Sequence, residues 1–117
     1  NWEALLFASH HKLNNLVIII DNNNLQSLTT VDETLNLKSY NEKFEAFGCH
    51  VINLDGHDHK ELEAAFSENN ITSKPLVIIA KTTKGKGVSF MENQVKWHYK
   101  SPNSEELSIA IKEINNA

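Results

Sequence analysis

The sequence contains a single cysteine, Cys49, which excludes an internal disulfide and makes a reducing compartment its simplest setting. With only two prolines and four glycines in 117 residues, the chain is not a linker or a low-complexity segment. No apolar run is long enough to span a bilayer, so the sequence gives no sign of a membrane anchor. Lysine and arginine form no long run. A formal charge of -4 and a pI near 5.8 argue against a sequence-independent grip on nucleic acid, so any anion must be held locally. A signal-like start is also missing, which with the lone cysteine leads us to expect a cytoplasmic protein. The chain opens on Asn1 and not on Met, as expected of a piece of something longer.

What is present is ordinary for a globular protein: 40% apolar and 22% charged residues. A chain of this size buries roughly two-thirds of its unfolded surface, so residues 1–117 are expected to form a single domain. Trp2, Leu5, Leu6 and Leu13 recur near one face and predict a helix over residues 2 to 13. The run "LVIII" (16–20) is apolar and β-branched without alternation, which fits a parallel strand covered on both faces. Helical spacing returns over 36–47, with Gly48 placed for a left-handed C-terminal cap. "HVINL" (50–54) and "PLVIIAK" (75–81) predict two more strands. Between them Asp58 and Glu61 resemble a capping box that opens a helix over 59–69, with Leu62, Ala65 and Phe66 turned inward. After a loop from 82 to about 103, Ser104 is expected to cap a last helix striped by Leu107, Ala110, Ile111 and Ile114.

Alternation of this kind predicts an α/β fold, a parallel sheet with helices on both faces and right-handed crossovers. In such sheets ligands sit beyond the carboxyl ends of the strands, so the segments after Ile20, Leu54 and Lys81 matter most. The first is "DNNN" (21–24). Asn and Asp favour turns, and composition alone favours that reading. The alternative is that an amide oxygen and a nearby carbonyl serve a hard cation such as Mg²⁺, which takes oxygen ligands shared with phosphate. The third is "KTTKGKGVS" (81–89), where Gly85 and Gly87 permit close backbone approach and Lys84 and Lys86 supply positive charge. It lacks the spacing of a Walker loop, and lysine-flanked glycines are common on surfaces. Further on, "KWHYKSP" (96–102) carries His98. A histidine titrates near neutral pH and can exchange a proton during turnover, although a loop histidine is more often merely solvated. Cys49, His57 and His59 show no paired-cysteine pattern of a zinc site.

Three of these blocks together resemble the thiamine-diphosphate-binding region of transketolase: "WEALLFASHHKLNNLVIIIDNNNLQ", "EAFGCHVINLDGHD" and "KPLVIIAKTTKGKGVSFMENQVKWHYKSPN". They occur in the family's order and span essentially the whole chain. The resemblance implies a three-layer thiamine-diphosphate-binding (PP-type) domain truncated at its N-terminal side, because the family's Gly-Asp-Gly triplet would lie just before Asn1. It implies that the Asn23 side chain and the Leu25 main-chain carbonyl bind Mg²⁺, that Lys84 and His98 contact the cofactor, and that His98 moves a proton near the reacting carbon. Glu3 would lie toward a dimer interface. The implied activity is two-carbon ketol transfer between ketose and aldose phosphates, as in the pentose phosphate pathway and related carbohydrate metabolism. The implied partner is a C-terminal, pyrimidine-binding transketolase subunit, with a homodimer or heterotetramer when complete. Tyr99 stands where glycine is usual after the histidine. Two other readings remain at this point: a related thiamine-diphosphate synthase or E1-type component, and a non-catalytic α/β binding module.

Overall fold

The computed structural model describes residues 1–67 and 72–116, and its chain divides into two compact units. Unit 1 comprises Asn1–Asn22 and Leu37–Lys81; unit 2 comprises Asn23–Asn36 and Thr82–Ala117. The strands are β1 (Val17–Asn22), β2 (His50–Asp55) and β3 (Leu76–Lys81), and the helices are α1 (Trp2–His10), α2 (Val31–Thr34), α3 (Tyr40–Ala46), α4 (His59–Ser67) and α5 (Ser104–Asn115). A 3₁₀ turn covers Val95–His98. Among the described residues, no helix is long and apolar enough to cross a membrane.

Unit 1 is a three-layer α/β sandwich. Its sheet is parallel with strand order β1-β3-β2, so β3 is central. Alternate residues of β3 serve opposite faces, as the two-residue strand period requires. Val77 and Ile79 pack with Leu5, Phe44 and Cys49 beneath α1 and α3, while Leu76, Ile78 and Ala80 pack with Leu54 and Ala65 beneath α4. The β1-to-β2 crossover carries α3 over one face, and the β2-to-β3 return carries α4 over the other. Reversing direction and face together keeps both crossovers of one hand, as right-twisted strands demand. All three strands end level, since Lys81 pairs in register with Asn22 on one side and Asp55 on the other.

The sequence pattern places every long element, and the differences lie at their ends and in their cover. Helix α1 stops at His10 and not near residue 13 because Lys12 turns left-handed at φ 53°. Lys12 N–H then bonds Ser9 O at 3.0 Å and Leu13 N–H bonds Ala8 O at 2.9 Å, which closes the helix with a left-handed cap. Helix α3 begins at Tyr40, four residues later than its spacing suggests, after a left-handed Ser39. Strand β1 runs on through Asp21 and Asn22, so these two are strand residues and not a turn. It is also an edge strand with one face partly open, and Ile19 is 53% exposed, against the expectation of cover on both faces. Among the described strands only β3 is buried from Leu76 to Ala80, with Lys81 exposed at its end. On α4, Ala65 is buried and Leu62 packs on the core, but Phe66 is 46% exposed. The expected residues 68–69 of that helix lie outside the described residues. Asp58 Oδ1 does accept from Lys60 and Glu61 N–H, yet the Glu61 carboxylate reaches Asp55 N–H at 2.8 Å, so the return bond of the expected box is made one turn upstream.

Gly48 is required twice over. Its φ of +82° closes α3, with Gly48 N–H on Glu45 O and Cys49 N–H on Phe44 O, and a Cβ there would come within 2.3 Å of Ser9 Oγ on α1. We expect Gly48→Ala to lose about 1–2 kcal/mol from the left-handed backbone alone, and more from displacing Ser9. Chemical denaturation of the two proteins measures this, and an unchanged midpoint would disprove the close α1–α3 packing.

Candidate functional site

The segments that leave the carboxyl ends of β1 and β3 begin at Asn23 and Thr82, the residues next to the register partners Asn22 and Lys81. Both segments belong to unit 2, and so do all four residues singled out from the sequence: Asn23, Leu25, Lys84 and His98.

The Asn23 segment is a small hairpin. Leu25 and Thr30 oppose each other in an antiparallel bridge. The bonds beside it run from Val31 N–H to Asn24 O at 3.0 Å and from Gln26 N–H to Thr29 O at 2.8 Å, which makes Leu25–Thr30 a non-hydrogen-bonded pair. The Leu25 N–H and C=O therefore both point outward, away from Thr30. The outward N–H donates to Asn23 Oδ1 at 2.9 Å, so the amide oxygen lies on the edge toward which the Leu25 carbonyl also points. A left-handed Asn24, φ 60°, provides the bend. The turn anticipated at this place thus exists, and it sets two oxygen atoms on one side. The hairpin is continued by α2, capped by Thr30 Oγ1, which accepts from Glu33 N–H. That four-residue helix was not foreseen, although Thr30 followed three residues on by Glu33 is a capping pattern.

The second segment folds into successive turns from Thr83 to Gln94. Lys86 N–H bonds Thr83 O, Val88 N–H bonds Gly85 O, and Met91 N–H bonds Val88 O. The half-buried Lys84 is fixed through its carbonyl, which accepts from Asn93 N–H at 3.0 Å, whereas Lys86 is exposed. Gly85 has φ +72°, and a Cβ on it would stand 2.8 Å from the Met91 backbone. The close approach that Gly85 permits is therefore internal, to Met91. Gly87 has φ +88° with open space around it, so there only the backbone angle asks for glycine.

His98 ends the 3₁₀ turn and is exposed, its ring perpendicular to that of Tyr99 at 4.6 Å. The turn is fastened by Trp97, whose Nε1–H donates to Phe90 O at 2.9 Å. Helix α5 follows, capped by Asn103 and not by Ser104: Asn103 Oδ1 accepts from Glu105 and Glu106 N–H, and Glu106 Oε2 accepts from Asn103 N–H. Asn103 with Glu106 three residues on is the pattern that could have found it. The structure joins Asn23 directly to Leu25. It sets Lys84 and His98 in the same unit as the Asn23 hairpin. Glu3 lies elsewhere, exposed in the first turn of α1. Among the described residues no group of three or more His, Cys, Asp or Glu is placed to hold a metal ion.

A family model described as the transketolase thiamine diphosphate binding domain matches residues 1–114. One of the subunits of the apulose-4-phosphate transketolase of Actinobacillus succinogenes is 40% identical over 114 residues, which are 97% of this chain and 41% of that protein. Human transketolase is 42% identical over 99 residues, 85% of this chain and 16% of that one. The crystal structure of Campylobacter jejuni transketolase superposes with a TM-score of 0.88 at 33% identity, over 97% of this chain and 18% of its own. The chain therefore belongs to the transketolase family, within its thiamine diphosphate binding domain. It spans about two-fifths of the Actinobacillus relative and less than a fifth of the other two.

One clamp in unit 2 is expected to respond to pH. Ser89 donates to Glu113 twice, from its hydroxyl at 2.7 Å and from its N–H at 2.6 Å, and these bonds hold the Glu113 carboxyl below the usual carboxylate range. A depressed value means that the clamp is whole at neutral pH and is lost as pH falls through that lowered value. We expect the Ser89 amide resonance to titrate below the pH at which ordinary surface glutamates do, and Glu113→Gln to abolish the transition. A midpoint equal to that of ordinary surface glutamates would refute the clamp.

Proposed function

We propose that this chain is part of the amino-terminal subunit of a split transketolase, and that it holds the diphosphate of thiamine diphosphate through Mg²⁺. The observation that carries the reading is the shared edge of the Asn23 hairpin. Mg²⁺ wants oxygen ligands, and Asn23 Oδ1 and the Leu25 carbonyl are two oxygens on one side of a loop that leaves the end of a parallel strand. Asn23 Oδ1 already accepts from Leu25 N–H, but an amide oxygen has two lone pairs and can accept and ligate together. Two neutral oxygens do not hold a divalent cation unaided, so the negative charge comes from the diphosphate together with the aspartate of the Gly-Asp-Gly triplet that the family resemblance places just upstream of Asn1. The donor set fits that division of labour.

Thiamine diphosphate, when bound, supplies the electron sink for breaking and forming a carbon–carbon bond beside a carbonyl. The chain's own part is to bind, orient and move protons. Lys84, on a backbone pinned by Asn93, contributes positive charge toward the cofactor. His98, exposed at the end of its turn, hydrogen-bonds the sugar and carries a proton at a hydroxyl near the reacting carbon. The same reading takes residues 1–117 as one partial domain of a cytoplasmic enzyme. Substrates would be ketose and aldose phosphates, with a pyrimidine-binding subunit completing the site in a homodimer or heterotetramer. Relatives named as one of a transketolase's separate subunits support the split arrangement. Similar identity to the Actinobacillus protein and to human transketolase supports phosphorylated sugars as a class without choosing one.

The test uses the chain extended upstream and coexpressed with its candidate partner. Thiamine diphosphate with Mg²⁺ is expected to raise the melting temperature, by about 2.7 kcal/mol of stabilisation when cofactor is a hundredfold above Kd. Asn23→Ala should remove the Mg²⁺-dependent part of the shift. His98→Ala should keep the shift and lower ketol transfer by roughly 100-fold or more. An undiminished shift in Asn23→Ala removes the metal assignment, and no shift in the parent protein favours a non-catalytic module.

A further inference from the structure

The position of His98 poses a mechanical problem. A short 3₁₀ turn has poor hydrogen-bond geometry and little rigidity of its own, yet a proton-transfer group must be held closely, since a displacement of about 1 Å can cost roughly 100-fold in rate. The sequence neighbour on its N-terminal side is tied on three sides. The Trp97 Nε1–H donates to Phe90 O at 2.9 Å, and its ring packs against the Phe90 ring at 5.3 Å. Lys96 Nζ and Lys100 Nζ lie 5.2 and 4.6 Å from the centre of the same indole, within range of a cation–π attraction.

Lys100 is held in turn. Its Nζ stands 3.0 Å from Glu106 Oε1, while Glu106 Oε2 accepts from Asn103 N–H in the cap of α5. One carboxylate therefore caps a twelve-residue helix and anchors the ammonium that covers Trp97. Asn103 N–H first, and Lys100 second, hold that carboxyl below its usual range, so it stays charged for this task at neutral pH.

We propose that Trp97 is a positioning residue for His98, fixed to the Phe90 carbonyl on one side and, through Lys100 and Glu106, to the cap of α5 on the other. The proposal rests on the reading of His98 given above and adds to it the device that aims the imidazole. Trp97 itself touches no reacting atom. Its indole N–H converts a pliant turn into a strut between the glycine loop and α5.

The test compares the extended, partner-assembled protein with Trp97→Phe, Glu106→Gln, His98→Ala and the double variant Trp97→Phe/His98→Ala. Two readouts are taken: ketol-transfer kcat and KM, and the imidazole Cε1–H resonance of His98, assigned by its disappearance in His98→Ala. Trp97→Phe keeps a ring against Phe90 but has no N–H donor. It is expected to move the His98 resonance while those of His10, His11, His57 and His59 stay in place. It should lower kcat roughly 10- to 100-fold with KM changed less, and should cost nothing further in the His98→Ala background, since the effect passes through that residue. Equal losses in both backgrounds, or an unmoved His98 resonance, overturn the proposal. If Trp97→Phe does not fold, Glu106→Gln decides: it keeps an oxygen for Asn103 N–H, loses the charge that holds Lys100, and must move the same resonance. A parent assembly without ketol transfer defeats the functional reading alone, and the resonance still judges the strut.

Discussion

Val77 and Ile78 have no measurable exposure, and Pro75 and Leu76 beside them are buried almost as fully. Burying aliphatic side chains of this size contributes about 1.5–3 kcal/mol each, and a strand that is apolar on both sides can satisfy itself only between two helical layers. That demand makes β3 central, and the helical crossovers on either face bring both neighbours parallel to it. It also brings Asn22 and Asp55 level with Lys81. The segments that carry the candidate residues follow directly in the chain on two of these strand ends, at Asn23 and Thr82.

The sequence made the order of long elements legible because their periods are strong: an unbroken apolar run at 76–80, helical spacing before Gly48, and a stripe along α5. It said less about cover. β1 and β3 read alike as interior strands, yet Ile19 is half open and Ile78 is sealed. Both runs are apolar; their place in the sheet, which depends on all three strands together, decides the outcome. Likewise Leu107, Ile111 and Ile114 share the expected stripe on α5 but remain about half exposed, and only Ala110 is buried. Helix ends escaped for a local reason. Lys12, Ser39, Asn24 and Asn93 adopt left-handed backbone without being glycine, and single residues of that kind leave no periodic trace.

The residues of the candidate site were legible as types, through a match of whole blocks, and their support was not. Nothing in "DNNN" shows that two of its members finish a strand while the third bonds Leu25 N–H. Gly85 invites the idea of a phosphate cradle, whereas its missing side chain makes room for Met91. Ties such as Trp97 to Phe90 and Ser89 to Glu113 join positions that no spacing rule connects. The catalytic candidates sit in turns, and turns are held by side chains reaching over from elsewhere in the chain.

The two hydrogen bonds from Ser89 to Glu113 close a ring spanning 24 positions between the glycine loop and the tail of α5. Closing a ring of that size removes conformational freedom in the manner of a crosslink, with a cost that grows only with the logarithm of its length. Fraying of the last turn of α5 would therefore not stay at the end of the chain. It would be felt at Val88 and Gly87, and the looseness of a helix tail would become looseness in the loop that carries Lys84.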